Sequence, residues 1–372
     1  MKNAVKKAAV FFMRCLYAVL KLRPQKKRIV FLSRESDSPP LDFLLLENEI
    51  KKELPDYETV MLCRLLPSGN VNVPATVLNT FQSMLLLSNA RACVIDTFSL
   101  PVSVLKQRKN FKAVQIWHAL GGLKCSGYAS LDKPAGHSSQ DARILCMHKN
   151  YSLVCAPSEA VKDIYKQAFN CDESIILKLG MPRIDYILGE SEEKKNRAAL
   201  LKEKYPQLVN GKKNILYAPT FRKNKAPDIK HILSAVDTNK YNLLLKAHII
   251  AGQGLIPDTV TVVNETIFDI FEFSDYIITD YSAASVEAAL TGKKLFFYVW
   301  DIDDYKENPG LFIDPLEEYP TLSSKNFEDI YKMIETDDYD TAALAAFKNR
   351  MVETADTGNS KRIAQKIREI LQ

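Results

Sequence analysis

The sequence predicts an α/β protein of two consecutive parallel, doubly wound domains facing a central cleft, with an amphipathic helix in front of them. Three observations predict it. Short apolar, β-branched runs alternate with helical stretches along most of the chain. The alternation falls into two series, separated by a strongly charged helical stretch from Glu190 to Lys204 that holds no apolar strand. Polar residues stand directly after strands of both series, where parallel sheets bind ligands.

The chain has 372 residues, 47% hydrophobic and 26% charged, the composition of a folded body of two ordinary domains. Its net charge of +5 is unevenly spread, because the first 28 residues carry nine Lys or Arg and no acid. The remainder is mildly acidic, which argues against a nucleic-acid-binding surface. The seven cysteines include no C-x-x-C pair and are odd in number, so reduced thiols fit better than a disulfide framework or a zinc site.

Residues 1–28 form the first segment. Val5 to Leu22 reads as a helix with Val5, Ala8, Phe12, Leu16 and Val19 on one side and lysines elsewhere, followed by Pro24-Gln-Lys-Lys-Arg28. That is the composition of a helix lying on an anionic membrane surface beside a polybasic flank. The first domain, 29–205, opens with the strand Ile29–Ser33 and the helix Leu41–Lys52. Strands follow at Thr59–Cys63, Ala92–Asp96, Val114–Trp117, Ser152–Ala156 and Ile175–Leu179, with helices near Thr76–Ala90 and up to Phe169. The second domain, 206–354, has strands at Asn214–Tyr217, Tyr241–Leu245, Val260–Val263, Tyr276–Thr279 and Leu295–Trp300. A basic amphipathic helix, within 355–372, closes the chain.

The stretch Asp275–Gly310 is the most telling. The run Tyr276–Thr279 is a buried strand, Asp280-Tyr-Ser-Ala-Ala-Ser285 a tight turn, and Ser285–Thr291 a helix that Gly292 ends. Ser282 then stands near the first unpaired N–H groups of a helix, a place suited to an anion. Elsewhere His118 follows one strand and Arg183 another. Thr220 and Arg222 follow Leu216-Tyr-Ala-Pro219, Lys246 and His248 close a fourth strand, and Asp280 a fifth. Arginine meets phosphate through two parallel bonds, and histidine is a base near neutral pH. Together these residues predict a diphosphate held by Ser282, Arg222, Arg183 and Lys246, with His118 as the base; Gly121 and Gly122 let backbone approach the ligand there. His137, His148 and His231 read as surface residues. Gly122-Leu-Lys-Cys-Ser-Gly127 lacks the lysine of a P-loop, and Asp301-Ile-Asp303 reads as a loop or cap rather than a metal site.

Several segments resemble a known family. Gln115-Ile-Trp-His118 with Lys124 and Gly127, Gly180-Met-Pro-Arg-Ile-Asp185, Leu216-Tyr-Ala-Pro-Thr-Phe-Arg222, Ile278-Thr-Asp-Tyr-Ser282 and Gly358-Asn-Ser-Lys-Arg-Ile363 are similar, in order and spacing, to motifs of the CDP-glycerol glycerophosphotransferases. That family includes the teichoic acid primases and polymerases. The resemblance implies a GT-B-like pair of Rossmann-type domains and a peripheral enzyme on the cytoplasmic face of the membrane. It implies transfer of polyol phosphate from a CDP-polyol to a hydroxyl on a lipid-linked (polyprenyl diphosphate) saccharide, with release of CMP. It makes His118 and His248 catalytic, places Arg222, Thr220, Ser282, Asp280, Lys246 and Arg183 at the donor, and Lys124 and Glu287 near the acceptor or polyol. The compact amino-terminal half favours a primase over a polymerase.

The chain departs from the family pattern at Ala119, Ala283, Glu287 and Ile249, where glycine, serine, aspartate and proline are usual. No cofactor is required by the sequence. Magnesium is admissible as a neutraliser of the diphosphate, although no carboxylate cage stands out. Two other functions compete with this one: a GT-B glycosyltransferase using a nucleotide sugar, and a non-catalytic protein that binds the membrane surface.

Overall fold

The computed structural model describes residues 2–66, 72–220, 229–246 and 256–372. The chain divides into two compact units. The first comprises 1–120, 126–185 and 356–372, and the second 121–125 and 186–355. Each unit holds one sheet of six strands, so the GT-B-like α/β class expected from the sequence is the observed one.

In the first unit the strands are β1 (Arg28–Ser33), β2 (Glu58–Cys63), β3 (Ala92–Ile95), β4 (Lys112–Gln115), β5 (Leu153–Ala156) and β6 (Ile176–Lys178). They lie in the order β2-β1-β3-β4-β5-β6, and every pairing is parallel. The order reverses between β1 and β3, so the loops after these strands part to opposite faces and leave a crevice at their carboxyl ends. The core packs Ile29, Phe31, Val94 and Val114 of the sheet against Phe43, Leu46 and Ile50 of the helix Leu41–Glu53.

The C-terminal helix Asn359–Leu371 belongs to this core through Ile363, Ala364, Ile367 and Leu371. The isoleucine and leucine side chains each stabilise the unit by roughly 1.5–3 kcal/mol on burial. Its amphipathic pattern therefore marks a core-facing stripe. The tail is part of the first unit rather than a segment of its own.

In the second unit the strands are β7 (Lys213–Tyr217), β8 (Tyr241–Lys246), β9 (Val260–Val263), β10 (Tyr276–Thr279), β11 (Lys294–Tyr298) and β12 (Ser323–Ser324). Counted from β7 the all-parallel order runs 3-2-1-4-5-6, that of a Rossmann sheet, and it reverses between β7 and β10. The two-residue β12 is too short and polar to show as an apolar run.

The unit boundary differs from the expected one at 205/206. The helix Glu192–Lys204 groups with the second unit, where Arg197 pairs with Asp269 at 2.8 Å. Tyr186 also donates to Asp269, at 2.6 Å.

The N-terminal helix spans Lys2–Leu20 and is docked on its own unit by one stripe. Tyr17 and Val10 are buried, Arg14 Nε donates to the Val104 carbonyl at 2.9 Å, and Tyr17 donates to Gln107 at 2.6 Å. The opposite side stays open, with Phe11 69% and Phe12 67% exposed. No described helix is long and apolar enough to cross a membrane.

Candidate active site

In the second unit, two of the residues singled out by sequence bind each other. Asp280, fully buried after β10, accepts from the Thr220 N–H at 2.9 and 3.0 Å and from the Thr220 hydroxyl at 2.7 Å. It also accepts from the Ser282 N–H at 3.1 Å. One carboxylate thus ties the loop after β7 to the loop after β10 at the reversal of the sheet. Asp280 and Thr220, both expected at the donor, are thus hydrogen-bonded to each other at the ends of neighbouring strands.

Ser282 sits above this tie. Its hydroxyl accepts from the Ala284 N–H at 3.3 Å, and its carbonyl receives Ser285 Oγ at 2.7 Å. The helix runs Ala284–Leu290 and has no side-chain cap at Ala283. Tyr281 is buried beneath the turn, stacked on Tyr305 with ring centroids 4.1 Å apart. Glu287 is buried within the short helix.

Lys246, at the end of β8, donates to the Glu265 carbonyl, and burial lowers its pKa. A lysine already engaged and partly desolvated is a weaker phosphate clamp than sequence alone suggests. Arg222 and His248 lie outside the described residues.

In the first unit, His118 is exposed after β4. Its Nδ1 lies 3.0 Å from the Asp96 carbonyl oxygen. A carbonyl only accepts, so Nδ1 carries a proton, and in the neutral ring the lone pair is then on Nε2, the tautomer suited to a base. The ring also lies on Trp117, with centroids 4.3 Å apart and planes at 38°. Trp117 has φ 57, a left-handed conformation that a bulky residue adopts only when its surroundings enforce it.

The enforcing group is Gln115, fully buried at the end of β4. Its Oε1 accepts the Trp117 N–H at 2.8 Å, and its Nε2 donates to the Thr97 carbonyl and to Tyr151 Oη, each at 3.2 Å. Tyr151 is in turn 2.8 Å from His148 Nδ1. His148 is buried among Trp117, Phe98 and Phe169, and burial pulls its pKa down to about 3. It is a neutral core histidine, not the surface residue its sequence context suggested. His137 is exposed, and His231 pairs with Glu328 at 2.6 Å.

Arg183 is also corrected. Its Nε lies 3.0 Å from Asp42 Oδ2, its Nη2 donates to the same oxygen, and its backbone N–H reaches Asp42 Oδ1 at 2.8 Å. Both side chains are nearly buried. The arginine expected at the donor phosphate therefore neutralises an acid of the first unit. Two residues on, Asp185 accepts from the N–H groups of Gly358, Asn359 and Ser360, each at 2.8 Å, and from Asn359 Nδ2 at 2.9 Å. It caps the C-terminal helix. Two motifs far apart in sequence are thus the two sides of one structural joint.

Lys124 pairs with Leu311 in an antiparallel bridge, and the Cys125 N–H donates to the Gly310 carbonyl at 2.8 Å, which is why 121–125 group with the second unit. Gly127 has φ +57, and a Cβ there would lie 2.1 Å from the Ala168 carbonyl oxygen. Gly127→Ala is expected to cost about 1–3 kcal/mol, since backbone and helix end must both shift. The shift of the urea midpoint checks this, and an unchanged midpoint would refute the close approach.

Sequence reasoning missed Asp42, Asp96, Gln115 and Asp185 as functional or organising groups. Asp96 and Gln115 carried a signal as polar residues closing apolar strands, and Asp185 as the last residue of the Gly180–Asp185 motif, whereas Asp42 carried none. Among the described residues no group of three or more His, Cys, Asp or Glu is placed to hold a metal ion.

Comparison with known proteins gives a consistent result. A family model described as CDP-Glycerol:Poly(glycerophosphate) glycerophosphotransferase matches residues 15–369. The teichoic acid ribitol-phosphate primase of Bacillus spizizenii is 29% identical over 362 residues, covering 93% of this chain and 92% of that protein. The teichoic acid glycerol-phosphate primase of Bacillus subtilis is 25% identical, covering 79% and 77%. A variant of the wall teichoic acid polymerase TagF with CDPG superposes with a TM-score of 0.74 at 19% identity, covering 100% and 96%. That likeness concerns the fold.

Proposed function

Because the chain belongs to the CDP-glycerol:poly(glycerophosphate) glycerophosphotransferase family, and is a transferase, we propose that it moves one polyol phosphate from a CDP-polyol to a hydroxyl of a lipid-linked saccharide. It acts as a primase in teichoic acid synthesis. The observation that carries this reading is His118: exposed, tilted against Trp117 and held through Nδ1 by the Asp96 carbonyl, which in the neutral ring is the tautomer of a general base.

The chemistry is a displacement at phosphorus. The acceptor oxygen attacks the phosphorus that bears the polyol, its proton passes to His118 Nε2, and the bond to the CMP oxygen breaks. The products are the polyol-phosphorylated acceptor and CMP. The Ser282 turn, seated on the Asp280–Thr220 tie, holds the donor diphosphate, with Arg222 and His248 supplying charge and hydrogen bonds. Arg183 is left out of this set because its guanidinium is already paired with Asp42. The helix Lys2–Leu20 lies on the anionic membrane surface through Phe11 and Phe12, keeping the enzyme beside its lipid-linked acceptor on the cytoplasmic face.

Matches to two primases, each over more than three quarters of both chains, support single-unit transfer. One experiment tests the whole reading. The enzyme is incubated with CDP-glycerol or CDP-ribitol and a short-chain lipid-linked disaccharide, and the products are identified by mass. Release of CMP with one polyol phosphate added is the expected result, and the preferred donor names the polyol. Consumption of a nucleotide sugar with release of a nucleoside diphosphate, and of neither CDP-polyol, would establish a glycosyltransferase instead.

A further inference from the structure

The residue whose main chain holds His118 carries a carboxyl group that the proposed chemistry does not yet use. Asp96 follows β3 at the reversal of the first sheet and is 2% exposed. The Ser33 hydroxyl, at the end of β1, donates to its Oδ2 at 2.7 Å and accepts from the Glu35 N–H at 3.2 Å. Its Oδ1 is buried with no hydrogen-bond partner. Its backbone carbonyl is the acceptor of His118 Nδ1. One residue therefore holds the imidazole through its main-chain carbonyl and carries, on the same Cα, a buried and incompletely satisfied carboxyl. A purely structural role is poorly served by this choice, since serine or alanine would bury no orphaned oxygen.

We propose that Asp96 is the positioning residue of His118, and that the reactive state carries it as the carboxylate. When His118 takes the acceptor proton it becomes a cation. The Nδ1–H bond to the Asp96 carbonyl strengthens, and the buried carboxylate on the same residue stabilises the new charge by Coulomb attraction that water at Asp96 does not screen. The proton taken from the acceptor stays on His118 until solvent removes it, and Asp96 is not protonated in the step. Ser33 holds the carboxyl in place.

The surroundings make this group titrate in a useful range. Burial raises its pKa to about 7, the Ser33 hydroxyl opposes the rise, and Glu35 and Asp42 add to it. Asp42, at the start of the helix Leu41–Glu53, is itself neutralised by Arg183. From β2, Cys63 faces the same group, and burial with the Asp96 charge raises its thiol to about 11, so it stays protonated. Arg34, after β1, is turned to the Phe98 carbonyl at 3.5 Å.

The inference rests on His118 being the base, and its test is built to fail separately. Asp96→Asn keeps the size of the side chain and removes its charge. It is expected to lower kcat by about tenfold or more with the donor KM unchanged. The acid limb of the kcat/KM profile is expected to change from two ionisations to one. Ser33→Ala, the milder variant, should lower kcat less and keep both ionisations. Independently of turnover, imidazole NMR of the full chain should show the His118 titration moving to lower pH in Asp96→Asn. An unchanged kcat, an unchanged acid limb or an unmoved His118 titration in a folded variant would overturn the assignment. A wild-type enzyme with no CDP-polyol turnover would remove the functional reading, while the NMR titration would still decide the coupling.

Discussion

Replacing His118 by alanine is expected to lower turnover by about 10²–10⁴-fold, the usual contribution of a positioned general base. On the proposed role, in which the ring meets the reacting hydroxyl, the donor KM should stay near its wild-type value. Folding should be unaffected. The imidazole is exposed, and its hydrogen bond to the Asp96 carbonyl and its packing against Trp117 lie at a strand end outside the sheet core. Steady-state release of CMP from a CDP-polyol, beside a circular dichroism melt, checks both halves. Unchanged turnover in a folded, active preparation would remove His118 as the base. The other histidines of the first unit are set differently, since His148 is buried with its pKa pulled down to about 3 and His137 follows no strand in sequence.

The largest stability effect is expected at Arg183. Arg183→Met leaves the Asp42 carboxylate buried without its cation, a loss of about 3–5 kcal/mol by analogy with other broken buried pairs. The double change Asp42→Leu with Arg183→Met should recover most of that loss, because it removes both charges and leaves apolar volume in their place. The two possible roles of this arginine separate cleanly. A phosphate ligand would show a raised donor KM with an unchanged urea midpoint, whereas a structural pair shows a lowered midpoint that the double variant restores. The geometry supports the second, since Nε, Nη2 and the backbone N–H of Arg183 all converge on Asp42.

The sequence by itself determined the elements and the places where chemistry gathers. Runs such as Ile29–Ser33 and Tyr276–Thr279 are legible because strands buried on both faces are nearly all apolar, and they appear where expected as β1 and β10. His118, Thr220, Asp280 and Ser282 stood out because a polar residue directly after such a run emerges at the carboxyl edge of the sheet. Strand order was not legible, because parallel neighbours are joined by long crossovers and their apolar runs are interchangeable. Nor was the partner of each polar group. Asp280 meets Thr220 across 60 positions and Asp42 meets Arg183 across 141, pairings that arise only when two strand ends or two loops are packed side by side. The same limit explains Glu192–Lys204 and the C-terminal helix. Their helical character is local and visible in the residues, but the unit each one joins depends on which surface its stripe buries, and that surface is assembled from distant chain.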